Sequence, residues 1–244
     1  MSRLAGWDQS VFEAAGRGYP IFRKGSGPGV VIMHEIPGIT PTVQGFAEEV
    51  VDAGFTVVMP SLFGTPGTAM STGEIVKSLV QVCISKEFVT MATGRTSAIA
   101  SWTRALARSL HEELGGPGVG ALGMCFTGGF ALAMMVDGHV AAPVLSQPSA
   151  PFAVTKRLGA DLGLSPADLA AVKERVDAGC PVLGLRYRSD KVVGTRFETL
   201  RRELGDGFLA VELHGKGHAV VTEHRHDETV ERVLEFFRER LTTP

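Results

Sequence analysis

Short runs of apolar and β-branched residues alternate along this chain with longer amphipathic segments. That alternation constrains the fold more than any other feature. Val30-Val31-Ile32-Met33 follows the turn-forming Gly25-Ser26-Gly27-Pro28-Gly29 and reads as a buried strand. Thr40 to Ala53 predicts a helix closed by Gly54. Phe55 to Met59 is a second strand, ended by Pro60. Ile99, Trp102, Leu106, Leu110 and Leu114 lie three or four residues apart, on one face of a helix that Gly115-Gly116-Pro117 stops. Val119 to Leu122 predicts a strand, Thr127 to Val136 a buried helix, and Val140 to Leu145 a further strand. Ser165 as N-cap and Pro166 at the first helical position open a helix that runs to about Asp177. Pro181 to Tyr187 and Phe208 to Leu213 read as strands, with helices over Val193 to Leu204 and Glu228 to Leu241. Strands alternating with helices predict an α/β fold, a mostly parallel central sheet with helices on both faces. In such sheets sites lie beyond the carboxyl ends of the strands, so the residues that follow each strand matter most.

Phe63 to Ser97 is less regular and rich in Gly and Thr, with room for short helices near a site. The chain has no internal repeat and no low-complexity linker, so residues 1–244 read as a single domain.

Charge excludes two classes of partner. The formal net charge is −2 and the two signs are mixed along the chain, so no basic surface for nucleic acid or for an acidic membrane is expected. No run of about eighteen apolar residues suggests a membrane span, and the N-terminal residues have no apolar stretch long enough for a signal peptide. Cys83, Cys125 and Cys180 are too few, and unpaired by any CxxC spacing, to form a disulfide framework or a zinc knuckle. Such usage fits a reducing, cytoplasmic setting. Cys83 in an apolar helical segment and Cys180 beside Pro181 read as core cysteines.

Cys125 is different. It stands in Gly123-Met124-Cys125-Phe126-Thr127-Gly128-Gly129, between a strand and a helix. A sharp turn in that context exposes one side chain at the sheet edge and needs small neighbours. The following helix start offers free N–H groups and positive partial charge, which favour a thiolate and a developing oxyanion. A nucleophilic cysteine needs a base, and the base an orienting acid. In the α/β-hydrolase arrangement the chain order is nucleophile, acid, histidine. Asp190 follows the strand ending at Tyr187, and His218 follows the strand ending at Leu213, in that order. Glu35 ends the first predicted strand within Met33-His34-Glu35-Ile36-Pro37-Gly38, beside the same turn, and the Ile36 N–H is placed to be an oxyanion donor. His34-Glu35 has no second histidine at zinc-protease spacing.

These segments resemble the dienelactone hydrolase family. His34 to Gly38 is similar to that family's Gln-Glu-Ile-Phe-Gly, and Gly54 to Phe63 to its Gly-Tyr-x-x-x-x-Pro-Asp-Leu-Tyr. Gly123 to Gly129 resembles its Gly-Tyr-Cys-Leu-Gly-Gly, and Asp190 and Gly217-His218 match its acid and base. The resemblance implies a cysteine-dependent ester or lactone hydrolase acting through an acyl-enzyme without metal or cofactor. It implies Cys125 as nucleophile, His218 held by Asp190 for proton transfer, and Glu35 against the thiol. The oxyanion hole would be made by the N–H groups of Ile36 and Phe126. The chain departs from the family at Thr127, where glycine is usual, and at Ser61, where aspartate is usual. The family's dienelactone-cleaving members hold a substrate carboxylate with arginines, one shortly after the histidine; here the first arginine after His218 is Arg225. Arg95 is the remaining candidate for anion binding, and a neutral or apolar ester is the expected substrate.

Two other readings compete. One is a non-catalytic ligand-binding protein on the same fold, since fold does not dictate function. The other is a metal-dependent hydrolase using His214, His218, His224 and His226, for which no carboxylate or cysteine completes an obvious ligand set.

Overall fold

Every apolar run picked out above becomes a strand of one eight-stranded sheet. The computed structural model describes residues 4–84, 98–149 and 156–242. The strands are β1 (Asp8–Ala14), β2 (Arg17–Lys24), β3 (Gly29–Met33), β4 (Thr56–Pro60), β5 (Val119–Met124), β6 (Val140–Ser146), β7 (Val182–Tyr187) and β8 (Phe208–Leu213), in spatial order β1-β2-β4-β3-β5-β6-β7-β8. β2 runs antiparallel to both its neighbours, and all pairs from β4 to β8 are parallel.

The hairpin β1–β2 is absent from the sequence reading above. β1 is exposed to half-buried throughout, β2 is mostly half-buried with only Phe22 fully buried, and Pro20 interrupts its apolar residues between the charged Arg17 and Arg23, so no uninterrupted apolar run marks the hairpin. Its two-residue turn, Ala15-Gly16, has φ of 50° and 73°. Positive φ at both positions is what a tight hairpin needs, though Asn-Gly is its usual signature.

The described helices are α1 (Pro41–Asp52), α2 (Thr72–Ile84), α3 (Ala98–Leu114), α4 (Gly128–Met134), α5 (Lys156–Ala160), α6 (Pro166–Asp177), α7 (Arg196–Leu204) and α8 (Asp227–Leu241). α2, 13 residues long, occupies part of the irregular Phe63 to Ser97 stretch. Ser165 caps α6 as expected, its hydroxyl accepting from the Asp168 N–H at 3.1 Å. Thr40 caps α1 in the same way, from the Val43 N–H at 3.3 Å.

Period-two alternation in the strands sends side chains to two separate cores. Val30 and Ile32 join α1 and α8 through Val43, Phe46, Phe236 and Phe237. Val31 and Met33 join the opposite core, where α3, α4, α6 and α7 contribute Trp102, Phe130, Val172 and Phe197. Cys180 is buried in that second core, as its sequence context suggested; the side chain of Cys83 lies outside what the structure describes.

Trp102 joins α3 to the hairpin. It is fully buried, and its ring meets Phe12 and Tyr19 edge-on at centroid distances of 5.5 and 5.1 Å. Its indole N–H donates to the Phe12 carbonyl at 3.2 Å. Trp102→Ala is expected to lower unfolding free energy in urea by about 3–5 kcal/mol, the usual cost of emptying a large aromatic site. Trp102→Phe, which keeps most of the volume and loses the hydrogen bond, is expected to cost less than half as much.

Candidate active site

β5 ends in the centre of the sheet, and the chain turns at once through Cys125–Thr127 into α4. Cys125 sits at φ 53°, a left-handed conformation that non-glycine residues rarely adopt. The turn is tight enough to require Gly123: a Cβ there would lie 2.2 Å from the Thr127 carbonyl oxygen. Thr127, the departure from the family pattern, is buried and holds the turn in place. Its hydroxyl accepts from the Met124 N–H at 3.0 Å and lies 2.9 Å from the Met33 carbonyl oxygen, 3.0 Å from that of Met124 and 3.2 Å from that of His34. One hydroxyl thus joins the cysteine turn to the end of β3, from which Glu35 projects.

Cys125 is half-buried and packs with Ile36 against the core cluster containing Leu62, Phe63 and Phe126. Its sulfur lies 3.0 Å from the Ser149 hydroxyl. On another side is His218, in the loop after β8. His218 Nδ1 donates to Asp190 Oδ2 at 2.7 Å, and the other oxygen of Asp190 accepts from the Val192 N–H at 3.0 Å. With Nδ1 committed to Asp190, Nε2 is the nitrogen left for Cys125. Burial disfavours the imidazolium, but hydrogen bonds to Asp190 and to the Cys125 sulfur, with their negative charges, outweigh it and raise the His218 pKa to about 10. The structure therefore hydrogen-bonds His218 to Asp190 and brings the His218 ring near enough to the Cys125 sulfur for that sulfur to help raise its pKa.

Glu35 is buried, 3% exposed. Its carboxylate accepts from the Thr222 hydroxyl and, at 3.1 Å, from Gln147 Nε2. Gln147 Oε1 in turn accepts from the Ser146 hydroxyl and from the Val220 N–H at 3.3 Å. Burial raises the Glu35 pKa, and the bonds from Thr222 and Gln147 with the charge of His218 only partly oppose it. The resemblance placed Glu35 against the thiol; here its two oxygens are taken by Thr222 and Gln147, and the sulfur faces Ser149 and His218.

His34 is fully buried and its tautomer is determined by its partners. Nε2 accepts from the Leu62 N–H at 3.1 Å, so Nδ1 carries the proton and donates to the Glu35 carbonyl at 3.0 Å. Burial lowers its pKa to about 4, and the bond to Glu35 opposes that only in part. This neutral ring ties the Glu35 loop to the end of β4, where the Ser61 N–H donates to the Pro20 carbonyl at 2.8 Å.

Arg95 lies outside the described residues. Arg225 is engaged elsewhere, donating to Glu49 at 2.8 and 2.9 Å and to Asp227 at 2.6 Å. Arg196, unremarked in the sequence, is a buried guanidinium held by the carbonyls of Asp161, Val193 and Leu158 at 2.9, 2.9 and 2.6 Å. Burial lowers its pKa, and the negative charges of Asp161 and Cys125 oppose that shift. No motif flags Ser149, Gln147, Thr222 or Arg196, although Gln147 and Ser149 directly follow β6, a carboxyl-terminal strand end. Among the four histidines considered for a metal, His218 pairs with Asp190 and His226 Nδ1 with the Thr229 hydroxyl. Among the described residues no group of three or more His, Cys, Asp or Glu is placed to hold a metal ion. No helix of the described residues is long and apolar enough to cross a membrane.

The model of the dienelactone hydrolase family matches residues 17–241. The chain belongs to that family. Solved structures agree on the fold. A dienelactone hydrolase from Anabaena variabilis superposes with a TM-score of 0.66 at 15% identity, covering 97% of this chain and 99% of that one. A putative dienelactone hydrolase from Klebsiella pneumoniae gives 0.62 at 17% identity, with 98% of each chain covered. A cold-adapted esterase from an Arctic intertidal metagenomic library gives 0.63 at 18% identity, with 97% of each covered. No curated protein matches the chain. The fold is the α/β-hydrolase fold, and membership of a dienelactone hydrolase family supports an ester hydrolase function.

Two outcomes follow from the turn and from His34. Thr127→Val keeps the shape but removes the hydroxyl from among buried backbone groups; an unfolding midpoint in urea lowered by the equivalent of about 1–3 kcal/mol is expected, and Thr127→Ser should recover most of it. His34 takes up a proton near pH 6.5 when unfolded and only at about 4 when folded. The unfolded state therefore binds more protons in that window, and stability falls as pH drops through it. The contribution is of order 3 kcal/mol at most. In His34→Gln, unfolding free energy measured between pH 4 and 6.5 should vary less steeply than in the parent.

Proposed function

We propose that the protein is a cysteine-dependent hydrolase of carboxylic esters and lactones. The observation that carries the reading is the Asp190–His218 hydrogen bond beside Cys125, with Cys125 on a left-handed turn at the centre of the sheet.

In this reading a protonated His218 stands beside the Cys125 sulfur as the counter-charge of a thiolate. The sulfur attacks the ester carbonyl carbon, and the carbonyl oxygen takes the negative charge. The N–H groups of Ile36 and Phe126 receive it; Phe126 lies in the first turn after Cys125, where helix-start donors point outward. As the carbon–oxygen bond breaks, His218 Nε2–H gives its proton to the leaving alkoxide, leaving an acyl-thioester and a neutral imidazole. A water molecule then attacks the acyl carbon while His218 takes its proton. The carbon–sulfur bond breaks, the carboxylic acid departs, and thiolate and imidazolium are restored. Asp190 keeps the imidazole in the tautomer that presents Nε2 throughout. None of these steps draws on a cofactor or a metal.

The surroundings favour an uncharged substrate. Phe63 and Phe126 lie in the apolar cluster against which Cys125 packs, with ring centroids 6.4 Å apart. Arg225, the first arginine after His218, is occupied by Glu49 and Asp227.

Cys125→Ala should abolish hydrolysis of small activated esters such as p-nitrophenyl acetate in a stopped assay; full activity in that variant defeats the reading. The pH dependence of kcat/KM tests His218. Its acid form, persisting to about pH 10, places the alkaline limb far above an ordinary imidazole. Asp190→Asn removes the carboxylate that holds the proton, so the limb should move toward the unperturbed 6.5 and kcat should drop by about two or more orders of magnitude.

A further inference from the structure

Ser149 touches the reacting atom and has no place in the scheme above. Its hydroxyl is buried, with the residue 7% exposed, and lies 3.0 Å from the Cys125 sulfur. Its backbone N–H also donates to the Cys125 carbonyl at 2.9 Å, so the two residues are joined twice. The segment that delivers it is closely determined. Gln147 is fully buried at φ 35°, and its N–H donates to the Leu185 carbonyl at 2.7 Å. Pro148 lies against the start of α4 so closely that a Cβ on Gly128 would be 2.8 Å from the proline Cα. The Gln147 side chain adds bonds to Ser146, Glu35 and Val220. These contacts fix the backbone that carries Ser149 relative to the strand end, the cysteine turn and the Glu35 loop, and from that backbone the hydroxyl reaches the sulfur.

We propose that Ser149 is a further catalytic residue, donating its hydroxyl hydrogen to the Cys125 thiolate. The inference rests on the reading of Cys125 as nucleophile. A thiolate has no hydrogen to give, so the serine must donate and the sulfur accept. Hydrogen bonds to a charged partner are about twice as strong as neutral ones. The bond is therefore strong whenever the sulfur is anionic and weak in the neutral acyl-thioester. It acts at two points in the cycle: it holds the resting thiolate beside His218, and it stabilises the thiolate as leaving group when the carbon–sulfur bond breaks. No proton moves from Ser149 at either point; its O–H bond stays intact, and the electron pair from the broken carbon–sulfur bond stays on sulfur.

The direct test is the pH dependence of Cys125 alkylation by iodoacetamide, read by mass spectrometry of the Cys125-containing peptide. In Ser149→Ala the rate should rise with pH about one unit later than in the parent, a tenfold loss of reactivity on the acid side of the midpoint. The burst of alcohol from p-nitrophenyl acetate should survive, while the steady rate that follows it falls about tenfold, because deacylation is the step that expels thiolate. Ser149→Thr, which retains the hydroxyl, should restore both readings. If Ser149→Ala is poorly folded, as judged by circular dichroism, Ser149→Gly removes the same hydroxyl, keeps the N–H to Cys125 and should give the same shifts. An unmoved alkylation profile with Cys125→Ala inactive overturns the role of Ser149 alone. Hydrolysis that persists in Cys125→Ala overturns both that role and the nucleophile on which it depends.

Discussion

The contact on which the site depends is the one between Gly123 and Thr127. The main chain doubles back so closely at the end of β5 that nothing larger than a hydrogen fits on Gly123 against the Thr127 carbonyl. That closeness forces Cys125 into the left-handed region and turns its side chain out of the strand direction. The Thr127 hydroxyl then spends its hydrogen-bonding capacity on the ends of β5 and β3 together. Steric exclusion sets the turn, and one buried hydroxyl sets where the turn sits relative to the neighbouring strand. The cysteine, Glu35 and the Ile36 N–H acquire their relative positions from those two facts.

Charge around the turn is arranged in layers. Nearest the sulfur are the His218 ring, whose pKa is raised, and the Ser149 hydroxyl. Beyond them a buried carboxyl, Glu35, is bound by neutral donors from Thr222 and Gln147 rather than by a cation. A carboxyl so placed stays responsive to the charge of His218, whereas a salt bridge would commit it to one ionisation state. Arg196 shows the same economy from the opposite sign: a buried guanidinium held by three carbonyl dipoles, with Asp161 and Cys125 supplying the nearby negative potential.

The central strands were legible in the sequence because strands buried on both faces read as continuous apolar runs, as in Val30 to Met33 and Val140 to Leu145. The placement of Cys125, Asp190 and His218 after β5, β7 and β8 was legible because the strands before them were. The hairpin β1–β2 was not, since Pro20 interrupts the apolar residues of β2 and charged, partly exposed residues flank them. The partners of Glu35 were not legible either. Thr222 lies far along the chain from Glu35, and only the packing of the loop after His218 against the β3 end brings them together. Ser149 was hidden for a related reason: a serine after a strand is common, and its proximity to sulfur depends on the backbone path through Gln147 and Pro148. The departure at Thr127 was visible as a substitution, but its effect required the carbonyls of Met33 and His34 to be in place.

The strand order also bears on how the protein must assemble. β3 lies between β4 and β5, and β4 on its other side carries the antiparallel β2. β1 and β2 pair through a two-residue turn and can close locally, but their docking waits for β4. β3 meets β5 only after the whole of α1 to α3 has been made, and His218 joins after β8. Loop closure over such separations is slow relative to local pairing. Each side chain around the sulfur comes from a different strand end, so the centre is a product of long-range closure and has no local precursor. Until β8 docks, the Cys125 thiol lacks both the His218 ring and the loop that encloses Glu35, so the surroundings it has in the folded protein are the last to be assembled.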